Sequence, residues 1–582
     1  MQCVESFQAV KPDQNRKPWV VTIALFLGVG LLLLVVARYL ALSSNVADLG
    51  FFSTNLVNVS VEWPRAFYGH AQPLMLLWGA AYQALPADIA PVILVGFQAV
   101  LLLGSVAAIW WKFGVWPGVA ILLYYPLWAN ALFDFHFDHI VVPLLAVFFI
   151  ACEMRQFGWA TLAAASLVLV KEPFALQTMA CGAYFLWLAP RLRGEGYSTR
   201  LLMLGLGLIF LGGAAFYALT QWLIPYFSGE TDRFALASGA FSWLGGGLAE
   251  IIWTLIAKPD FVLAEVIGTP GKLVYLAVVF GLLACVPLLR PAALIVALPL
   301  LMIAMLSRVE NYYGYANQYT AGVIVPAIVA FRDGLPIARR YFDAIWAWVQ
   351  RASSGYVKLS DSRVNRNDKG GQLYGTGNTG YDRSYLKRLF ARKELVFSGL
   401  LVAWLVAGHW ALSSSPISRL FWSDKVWSYS WRAYAPTERT AMMKQAMLHY
   451  IPTNPKVSVS TQNTVNWYHL SHRKAFMPFP MGIVEPYKVM DWSGRSWKGL
   501  LEFIRTGYKP PATSHGRFAD YVVLDLKRPY FLVDRGCEWV YGVCRDKAME
   551  KKFLNWVAYT HMHYQTVFEQ DGFMILKSRN GR

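Results

Sequence analysis

Charged residues are scarce in this chain. Asp, Glu, Lys and Arg make up 15% of its 582 residues, whereas 56% of the residues are hydrophobic. A soluble protein typically carries about 25% charged residues, and the mean hydropathy here is positive, at +0.37. The scarcity of charge excludes an ordinary soluble multidomain enzyme and indicates an α-helical polytopic membrane protein.

Acidic residues are outnumbered by basic residues, 35 to 53, which gives a net charge of +18. Such an excess invites a nucleic-acid interpretation, but the basic residues do not form a groove with interleaved aromatic side chains. They lie mostly between apolar segments, and residues 332–393 alone contain thirteen Lys and Arg against five Asp. This bias is typical of cytoplasmic loops in membrane proteins, so we exclude nucleic acid as a partner.

Cysteine is also rare, with six residues in the chain. Cys152, Cys181 and Cys285 lie in apolar segments, where cysteine behaves as a small hydrophobic residue. Cys537 and Cys544 share a segment that we place outside the cytoplasm, and we expect a disulfide there if the compartment oxidises thiols. Their spacing lacks the further Cys or His partners that a metal site needs.

Long apolar segments dominate the first 412 residues. The first is about 24 residues long and no small-residue cleavage site follows it, so we predict a retained span with a cytoplasmic amino terminus. The predicted spans, about eleven in number, are 19–42, 90–111, 117–132, 140–154, 158–171, 174–190, 201–225, 272–289, 291–306, 320–338 and 395–412. Several are shorter than the roughly 20 residues of a full span. We interpret the short segment 73–86 as re-entrant or interfacial.

The charges between the spans agree with this orientation. Basic residues of the predicted inner loops are Lys112, Arg155, Arg191, Arg193, Arg200, Arg290 and those of the 332–393 stretch. Acidic residues of the predicted outer loops are Asp48, Glu62, Asp134, Asp138, Glu172, Glu230, Asp232 and Glu310. We therefore predict a transmembrane domain over residues 1–412, with a flexible cytoplasmic loop at about 352–384 that is rich in glycine.

Residues 413–582 follow a different pattern, in which short helices and strands alternate. We predict helices at 436–450 and 547–561, with Thr437 as the N-cap of the first. The predicted strands are 457–460, 519–525 and 573–577. This order indicates a small α/β domain, which the odd number of spans places outside the cytoplasm.

Two carboxylates and two imidazoles stand close together between two predicted spans: Asp134, His136, Asp138 and His139. Desolvating such groups at the edge of a bilayer is costly, so we interpret them as part of a polar functional site. Carboxylates with imidazoles suit a divalent cation or a proton relay. Asp134, His136 and Asp138 are therefore candidate metal ligands, although their spacing matches no named metal motif.

Two further candidates lie in predicted outer loops nearer the amino terminus. Asp48 follows the first span and can accept a proton from an acceptor hydroxyl as a general base. The alternative for Asp48 is a helix cap or a solvated loop acid. His70 can hydrogen-bond a substrate or bind a metal, although a lone interfacial histidine is more often structural.

Lys171 and Glu172 interrupt an apolar run at a predicted helix–helix turn. A basic residue on the outer side breaks the charge bias, so Lys171 needs a local partner. Glu172 is one candidate for this partner, and the phosphate of a lipid is the other. We include both residues among the predicted substrate-binding residues.

The outer loop at 307–319 contains further candidates for substrate binding. Arg308 is suited to clamp a phosphate, because its planar guanidinium matches two phosphate oxygens. Glu310, Asn311 and Gln318 are the other predicted binding residues of this loop. Its tyrosines are better explained as residues of the aromatic belt at the membrane interface.

Several of these candidates lie in short segments, and the order of these segments along the chain matches that of a known family. The segments are Asp48-Leu49-Gly50, Gly69-His70 with Pro73, Phe133-Asp134-Phe135-His136, Lys171-Glu172, Asn311 to Tyr319, Tyr468-His469-Leu470-Ser471 and Asp520-Tyr521-Val522-Val523-Leu524-Asp525. Together they resemble domain of unknown function 2079, a family of membrane proteins that looks related to the GT-C superfamily of polyprenyl-phosphate-dependent glycosyltransferases. The resemblance covers nearly the whole chain except the glycine-rich loop. There are two departures: Phe137-Asp138 stands where the family often has Pro-Glu, and Pro173 stands where a second acid usually follows.

The resemblance implies a GT-C-like membrane fold and a sugar donor carried on polyprenyl phosphate. It implies a catalytic acid in the first outer loop, a position that Asp48 matches, and Arg308 or Lys171 would stabilise the departing phosphate. Together with the candidates argued above, the predicted catalytic residues are Asp48, His70, Asp134 and His136. The acceptor would be an extracytoplasmic glycan, lipid or protein, the location the bacterial inner membrane, and the one suggested cofactor a divalent metal ion.

Two other classes of function fit parts of the sequence. A transporter or lipid flippase of the cell envelope also buries charges along a substrate path, but no internal repeat with paired broken helices is evident. A non-catalytic assembly subunit would tolerate substitutions in the polar site and purify with a protein partner. We predict the glycosyltransferase and leave the sugar and the acceptor open.

Overall fold

The structure, a computed structural model, describes residues 18–228, 238–364, 393–423, 430–492, 495–508, 514–528 and 547–579. Cys537 and Cys544, for which a disulfide is predicted, lie outside the described residues. The part of the predicted glycine-rich loop that follows residue 364 also lies outside them.

Helices make up most of the described chain. Up to residue 228 they are α1 (Pro18–Leu40), α2 (Phe51–Asn58), α3 (Leu74–Gln83), α4 (Ala90–Phe113), α5 (Val115–Leu123), α6 (Tyr125–Phe133), α7 (Val141–Glu153), α8 (Phe157–Ser166), α9 (Glu172–Leu188), α10 (Ser198–Tyr217) and α11 (Ile224–Ser228). From residue 238 they are α12 (Ser238–Phe241), α13 (Leu248–Ala257), α14 (Pro259–Gly268), α15 (Pro270–Leu276), α16 (Leu294–Leu306), α17 (Ala321–Val364) and α18 (Lys393–Leu412). Beyond residue 412 they are α19 (Glu438–Tyr450), α20 (Tyr468–Ser471), α21 (Trp497–Thr506) and α22 (Lys547–His563).

Five helices of the described chain are long and apolar enough to cross a membrane: α1, α4, α10 with its extension to Ser228, α17 and α18. The number rises to seven if two bent pairs, α5 with α6 and α14 with α15, each form one span. These helices support the prediction of a polytopic membrane protein, but they do not confirm eleven spans. The difference arises because α7, α8, α9 and α16 have 17 residues or fewer, whereas a full span needs about 20.

Proline explains where the two pairs bend. Helices α5 and α6 meet at 49°, where Pro126 has no N–H for the carbonyl of Leu122. The Trp128 indole N–H donates to this carbonyl instead, at 2.7 Å. Helices α14 and α15 meet at 85°, and Thr269, which precedes Pro270, is extended with φ −104° and ψ 98°, as the residue before a proline prefers.

Helix α17 is longer than the sequence predicts. We expected a span at 320–338 and a flexible loop from residue 352, but the helix continues to Val364. Pro326 and Pro336 lie inside this helix and do not end it. The first residues of the predicted loop are therefore helical.

The two helices and three strands predicted after residue 412 are confirmed to within two residues at each end, and the described residues contain four further strands and two further α-helices. The strands of the described residues are β1 (Val459–Thr461), β2 (Phe476–Pro478), β3 (Tyr487–Met490), β4 (Ser514–Arg517), β5 (Tyr521–Asp525), β6 (Tyr564–Gln570) and β7 (Phe573–Ser578). Five form a sheet in the order β2-β1-β5-β7-β6, and β3 pairs with β4. Strand β1 is parallel to β2 and β5, whereas β7 is antiparallel to β5 and β6. Thr437 caps α19 as predicted, by accepting from the Thr440 N–H.

The region that carries the sheet is fastened to the carboxyl end of α1. Arg528 donates to the carbonyls of Ala41 and Leu42, at 2.8 and 2.5 Å. Lys444 donates to the carbonyl of Leu40 at 2.8 Å. An α-helix leaves its last carbonyls unpaired, and its dipole favours cations at this end. The two basic side chains therefore stabilise the end of α1 and fix the direction in which the chain leaves it.

A second attachment joins the sheet region to helix α2. The Thr54 hydroxyl donates to the carbonyl of Ser471 at 2.6 Å, and the Asn58 side-chain amide donates to the carbonyl of Arg473 at 2.9 Å. Both carbonyls lie at or just after the end of α20. The first loop after α1 is thus held by residues that are more than 400 positions away in the sequence.

We expect Arg528→Met to lower the free energy of unfolding by about 2–4 kcal/mol, the scale of two charge-assisted hydrogen bonds. Arg528 also lies 3.1 Å from the buried Asp525 and donates to the carbonyl of Thr464. Asp525 keeps its pairing with Arg439 in the variant, so the loss combines the contacts at the end of α1 with those two. Thermal unfolding of the purified protein in detergent measures the effect. Lys527→Met is the control, because the Lys527 side chain is 58% exposed. Equal unfolding midpoints for the two variants would contradict the proposed clamp.

Candidate functional site

Asp48 lies on a wide helical turn, Val46–Gly50, between α1 and α2. Asn463, which follows β1, holds the start of this turn. The Asn463 carbonyl accepts from the Val46 N–H, and its side-chain oxygen accepts from the Ala47 N–H, each at 2.9 Å. The position of Asp48 therefore depends on the sheet region as well as on α1.

The Asp48 carboxylate has two side-chain partners. One oxygen is 3.1 Å from His136 Nε2, and the other accepts from the Asn45 side-chain amide at 3.0 Å. The Asp48 side chain is 17% exposed, whereas that of His136 is buried. The carboxylate is thus fixed in direction and still reachable from solvent, which a general base requires.

The loop that carries His136 follows α6, and Gln98 of α4 fixes its backbone. The Gln98 amide donates to the carbonyl of Asp134 at 3.1 Å, and its oxygen accepts from the His136 N–H at 3.2 Å. His139 Nδ1–H donates to the His136 carbonyl at 2.7 Å. Burial lowers the pKa of His139 to about 4, so this ring is neutral near pH 7. These bonds set where the His136 imidazole meets Asp48.

Asp134 turns away from His136 and towards the end of α1. Its carboxylate accepts from the Asn45 N–H at 2.7 Å and lies 3.9 Å from the Arg38 guanidinium. Burial raises the pKa of Asp134 to about 7, although Arg38 opposes this change. Asn45 also donates to Asp48, so one asparagine bridges the two acids.

Lys171 is paired with Asp138. Its ammonium donates to the Asp138 carboxylate at 3.3 Å, and both side chains are almost fully buried. Burial raises the pKa of Asp138, but Lys171 and His136 together lower it by more. The pKa of Asp138 therefore lies below its usual value. The Tyr319 ring lies 5.8 Å from the ammonium. The sequence left Glu172 and a lipid phosphate open as partners of Lys171, and the structure gives it Asp138.

His70 and Glu172 form a third pair. His70 Nδ1–H donates to one oxygen of Glu172 at 2.6 Å, and the Ala71 N–H donates to the other oxygen at 3.1 Å. Glu172 is buried, whereas the His70 side chain is 36% exposed. Glu172 begins α9, where an acid is favoured by the helix dipole. The pair ties the start of α9 to the loop before α3.

The predicted binding residues of the 307–319 loop do not join these pairs. Arg308 donates two hydrogen bonds to Glu265 of α14, at 3.1 and 3.0 Å. Glu310 is exposed, Asn311 is half-buried and Gln318 is buried. Within the described residues, no hydrogen bond or ion pair connects these four predicted residues to the Asp48–His136 pair.

Metal binding is predicted for Asp134, His136 and Asp138. Among the residues that the structure describes, no three His, Cys, Asp or Glu side chains are grouped to hold a metal ion. Each predicted ligand contacts a different polar partner instead. The arrangement as it stands does not offer a metal three ligands, and we assign no step to one. The metal requirement stays a prediction.

Sequence reasoning missed four residues of this site: Arg38, Asn45, Gln98 and Asn463. Gln98 carried a signal, because it is a buried amide in a 24-residue apolar helix and such a group must find partners. Asn45 had only its nearness to Asp48. Asn463 gave no signal at all, because 416 positions separate it from the N–H that it accepts from.

Buried ion pairs at the ends of apolar helices define the class: a polytopic membrane protein with a polar site beside its membrane segments. The chain belongs to the family DUF2079, described as predicted membrane protein, and the family profile matches residues 51–352. The matched part includes the 134–139 loop and Lys171, and it begins three residues after Asp48. No curated protein matches the chain, and no solved structure does.

We expect Lys171→Met to lower the free energy of unfolding by about 3–5 kcal/mol, because Asp138 would stay buried without its cation. The double variant with Asp138→Asn should recover part of this loss. Thermal unfolding in detergent of the two single variants and the double variant measures the coupling. Lys474→Met is the control, since this half-exposed lysine pairs with Glu62 at the surface. Unchanged unfolding of Lys171→Met would contradict the ion pair.

The raised pKa of Asp134 predicts a pH effect. Its pKa is about 4 in the unfolded chain and about 7 in the folded protein, so the folded protein holds a proton that the unfolded chain releases. This contribution is complete below about pH 4 and is lost as the pH rises to 7, up to about 4 kcal/mol in total. Wild type should therefore lose stability relative to Asp134→Asn over this window. Parallel curves of unfolding midpoint against pH would contradict the prediction, and the exposed Asp88→Asn is the control.

Proposed function

We propose that this protein is a membrane glycosyltransferase of GT-C type, which moves a sugar from a polyprenyl-phosphate donor to an acceptor hydroxyl. The Asp48–His136 pair carries the proposal. It combines a carboxylate that is fixed yet partly exposed with a buried imidazole, next to the end of an apolar helix. A hydroxyl that reaches this position can give its proton to the carboxylate.

In the proposed reaction, Asp48 takes the proton of the acceptor hydroxyl while the hydroxyl oxygen attacks the anomeric carbon. The bond from this carbon to the phosphate oxygen breaks, and its electron pair leaves with the polyprenyl phosphate. This single displacement inverts the anomeric centre. His136 is a positioning residue, since its Nε2–H donates to Asp48. The carboxylate can accept further hydrogen bonds, so these contacts leave room for the acceptor proton.

The proposal includes a membrane orientation. The amino terminus would lie in the cytoplasm of a bacterium, and the Asp48 turn and the sheet region would lie outside the inner membrane. Nucleotide sugars are not expected there, whereas a lipid-linked donor reaches the site from the bilayer. The proposed eleven-span, GT-C-like arrangement would need shorter apolar segments as further spans, and Phe157–Leu169 and Pro291–Leu306 are two of them.

A transporter or lipid flippase is the second candidate, and the bent helices favour it. Two apolar helix pairs break at 49° and 85°, and broken helices often surround the substrate path of transporters. The loop after the first broken pair carries Asp134 and His136. In a transporter, these two side chains would line the path of the substrate and would not abstract a proton.

We expect Asp48→Asn to lower sugar transfer at least about 100-fold, the scale of a lost general base, with membrane insertion unchanged. Transfer is measured in membranes from a labelled polyprenyl-phosphate sugar, and co-purified lipids are identified by mass spectrometry. The inactive variant should retain the donor lipid. His136→Gln should keep more activity than His136→Leu, because the glutamine amide can replace the Nε2–H donor. The exposed Asp88→Asn is the matched control.

Normal transfer by Asp48→Asn would contradict the role of Asp48. Bulk phospholipid alone in both preparations, together with lipid movement across reconstituted vesicles, would favour the transporter. Transfer that persists in excess chelator would remove the predicted metal.

A further inference from the structure

Two cations share one carboxylate, and no hydrogen bond or ion pair among the described residues joins this group to the Asp48–His136 pair. Arg308 donates two hydrogen bonds to Glu265, and the Lys272 ammonium lies 3.9 Å from the same carboxylate. The Lys272 side chain is 0% exposed, and its ammonium has no hydrogen-bond partner among the described residues. The Arg308 side chain is 49% exposed. Arg308 is therefore partly exposed to solvent, whereas Lys272 is fully buried.

Aromatic rings hold both cations in place. The Trp243 ring lies 5.1 Å from the Arg308 guanidinium and 5.8 Å from the Lys272 ammonium, and Tyr313 lies 5.8 Å from this ammonium. The Trp243 indole N–H donates to the carbonyl of Leu306 at 2.9 Å, which fixes the ring. Such cation–π contacts position positive charge without neutralising it.

The charges of this group suit an additional anion. One carboxylate faces two cations, so the three side chains keep one net positive charge. A buried ammonium without a hydrogen-bond acceptor is unfavourable, and the oxygens of an incoming anion would supply acceptors. The planar guanidinium of Arg308 binds phosphate in the same two-bond geometry that it uses for a carboxylate. Glu265 thus occupies the position that a phosphate would take.

The surroundings of this group are apolar and exposed. Helix α14, which carries Glu265, and the neighbouring α13 have no buried residue. Their large exposed side chains are Leu248, Ile252, Trp253, Ile256, Phe261, Leu263 and Ile267. An exposed apolar surface of this kind marks contact with a membrane or another apolar partner. A ligand for the cations that arrives along this surface carries an apolar chain.

We propose that Lys272 and Arg308 bind the phosphate of a membrane lipid, which displaces Glu265. The proposal rests on the proposed function only for the identity of that lipid as the donor, and lipid binding itself does not need it. Of the two cations considered for the donor phosphate, Arg308 is about half exposed, whereas Lys171 is buried against Asp138. Glu265 acts as an internal competitor that keeps the site closed until a lipid phosphate arrives.

The test measures binding of a labelled polyprenyl phosphate to the full chain in phosphatidylcholine nanodiscs. Glu265→Gln should bind it about tenfold more tightly, because the internal competitor is removed. Lys272→Met and Arg308→Gln should bind it about tenfold more weakly, since each loses a charge-assisted contact. Arg419→Gln is the matched control, because Arg419 is an exposed arginine over the Trp410 ring. Its affinity should equal that of wild type.

Phosphatidic acid and inorganic phosphate identify the source of the phosphate. Binding of polyprenyl phosphate alone, or of both lipids, supports the proposal and tells whether the chain is also recognised. Inorganic phosphate that binds as well as the lipids overturns the role of the apolar surface. Equal affinities of wild type and all three variants overturn the site. If Lys272→Met does not fold, Glu265→Gln still decides, because a purely structural ion pair would not tighten binding when broken.

The two proposals fail separately. Asp48→Asn should keep full lipid affinity while it loses transfer. If Asp48→Asn transfers sugar normally but lipid binding follows the charges of the three variants, only the glycosyltransferase mechanism is wrong. If transfer depends on Asp48 but binding ignores those charges, only the lipid site is wrong.

Discussion

A charge that leaves water beside an apolar helix needs a compensating partner, because its desolvation costs several kcal/mol. The arrangement around Asp48 depends on this constraint. Asp134 in the loop after α6 turns to Arg38 at the end of α1. Asp138 in the same loop pairs with Lys171 at the start of α9. Each acid faces a cation of another segment, so these contacts hold the segments together. The meeting of the catalytic candidates follows from this packing.

The sheet region completes the site from the other side. Arg528 fixes the end of α1, and Asn463 holds the turn that follows it. At Gly50 an added Cβ would lie 2.6 Å from the Phe476 ring of β2, so the chain can pass this closely only with glycine. The motif Asp48-Leu49-Gly50 therefore combines the proposed general base with a glycine that allows the sheet region to approach closely.

The cations described above are paired with acids in two ways. Lys171 is buried between the Asp138 carboxylate and the Tyr319 ring, and it serves as a counter-ion of Asp138. Lys272 and Arg308 share the single acid Glu265 beside exposed apolar helices. The surplus of positive charge distinguishes the proposed lipid site from the Lys171–Asp138 ion pair. The 85° bend between α14 and α15 lies between Glu265 and Lys272, and the two side chains lie 3.9 Å apart across it.

The sequence by itself determined the class of protein, two of the helices and three of the strands after residue 412, the Thr437 cap and most of the polar candidates. These features arise from composition, periodicity and local capping, which act between neighbouring residues. It did not determine the number of full spans, because several apolar helices are too short for length alone to decide. Only the tertiary structure decided that Lys171 pairs with Asp138, that Arg308 pairs with Glu265 and that Asn463 holds the Asp48 turn. The physical reason is that a buried charge or N–H takes the partner that packing brings closest, and packing brings together residues that are far apart in the chain.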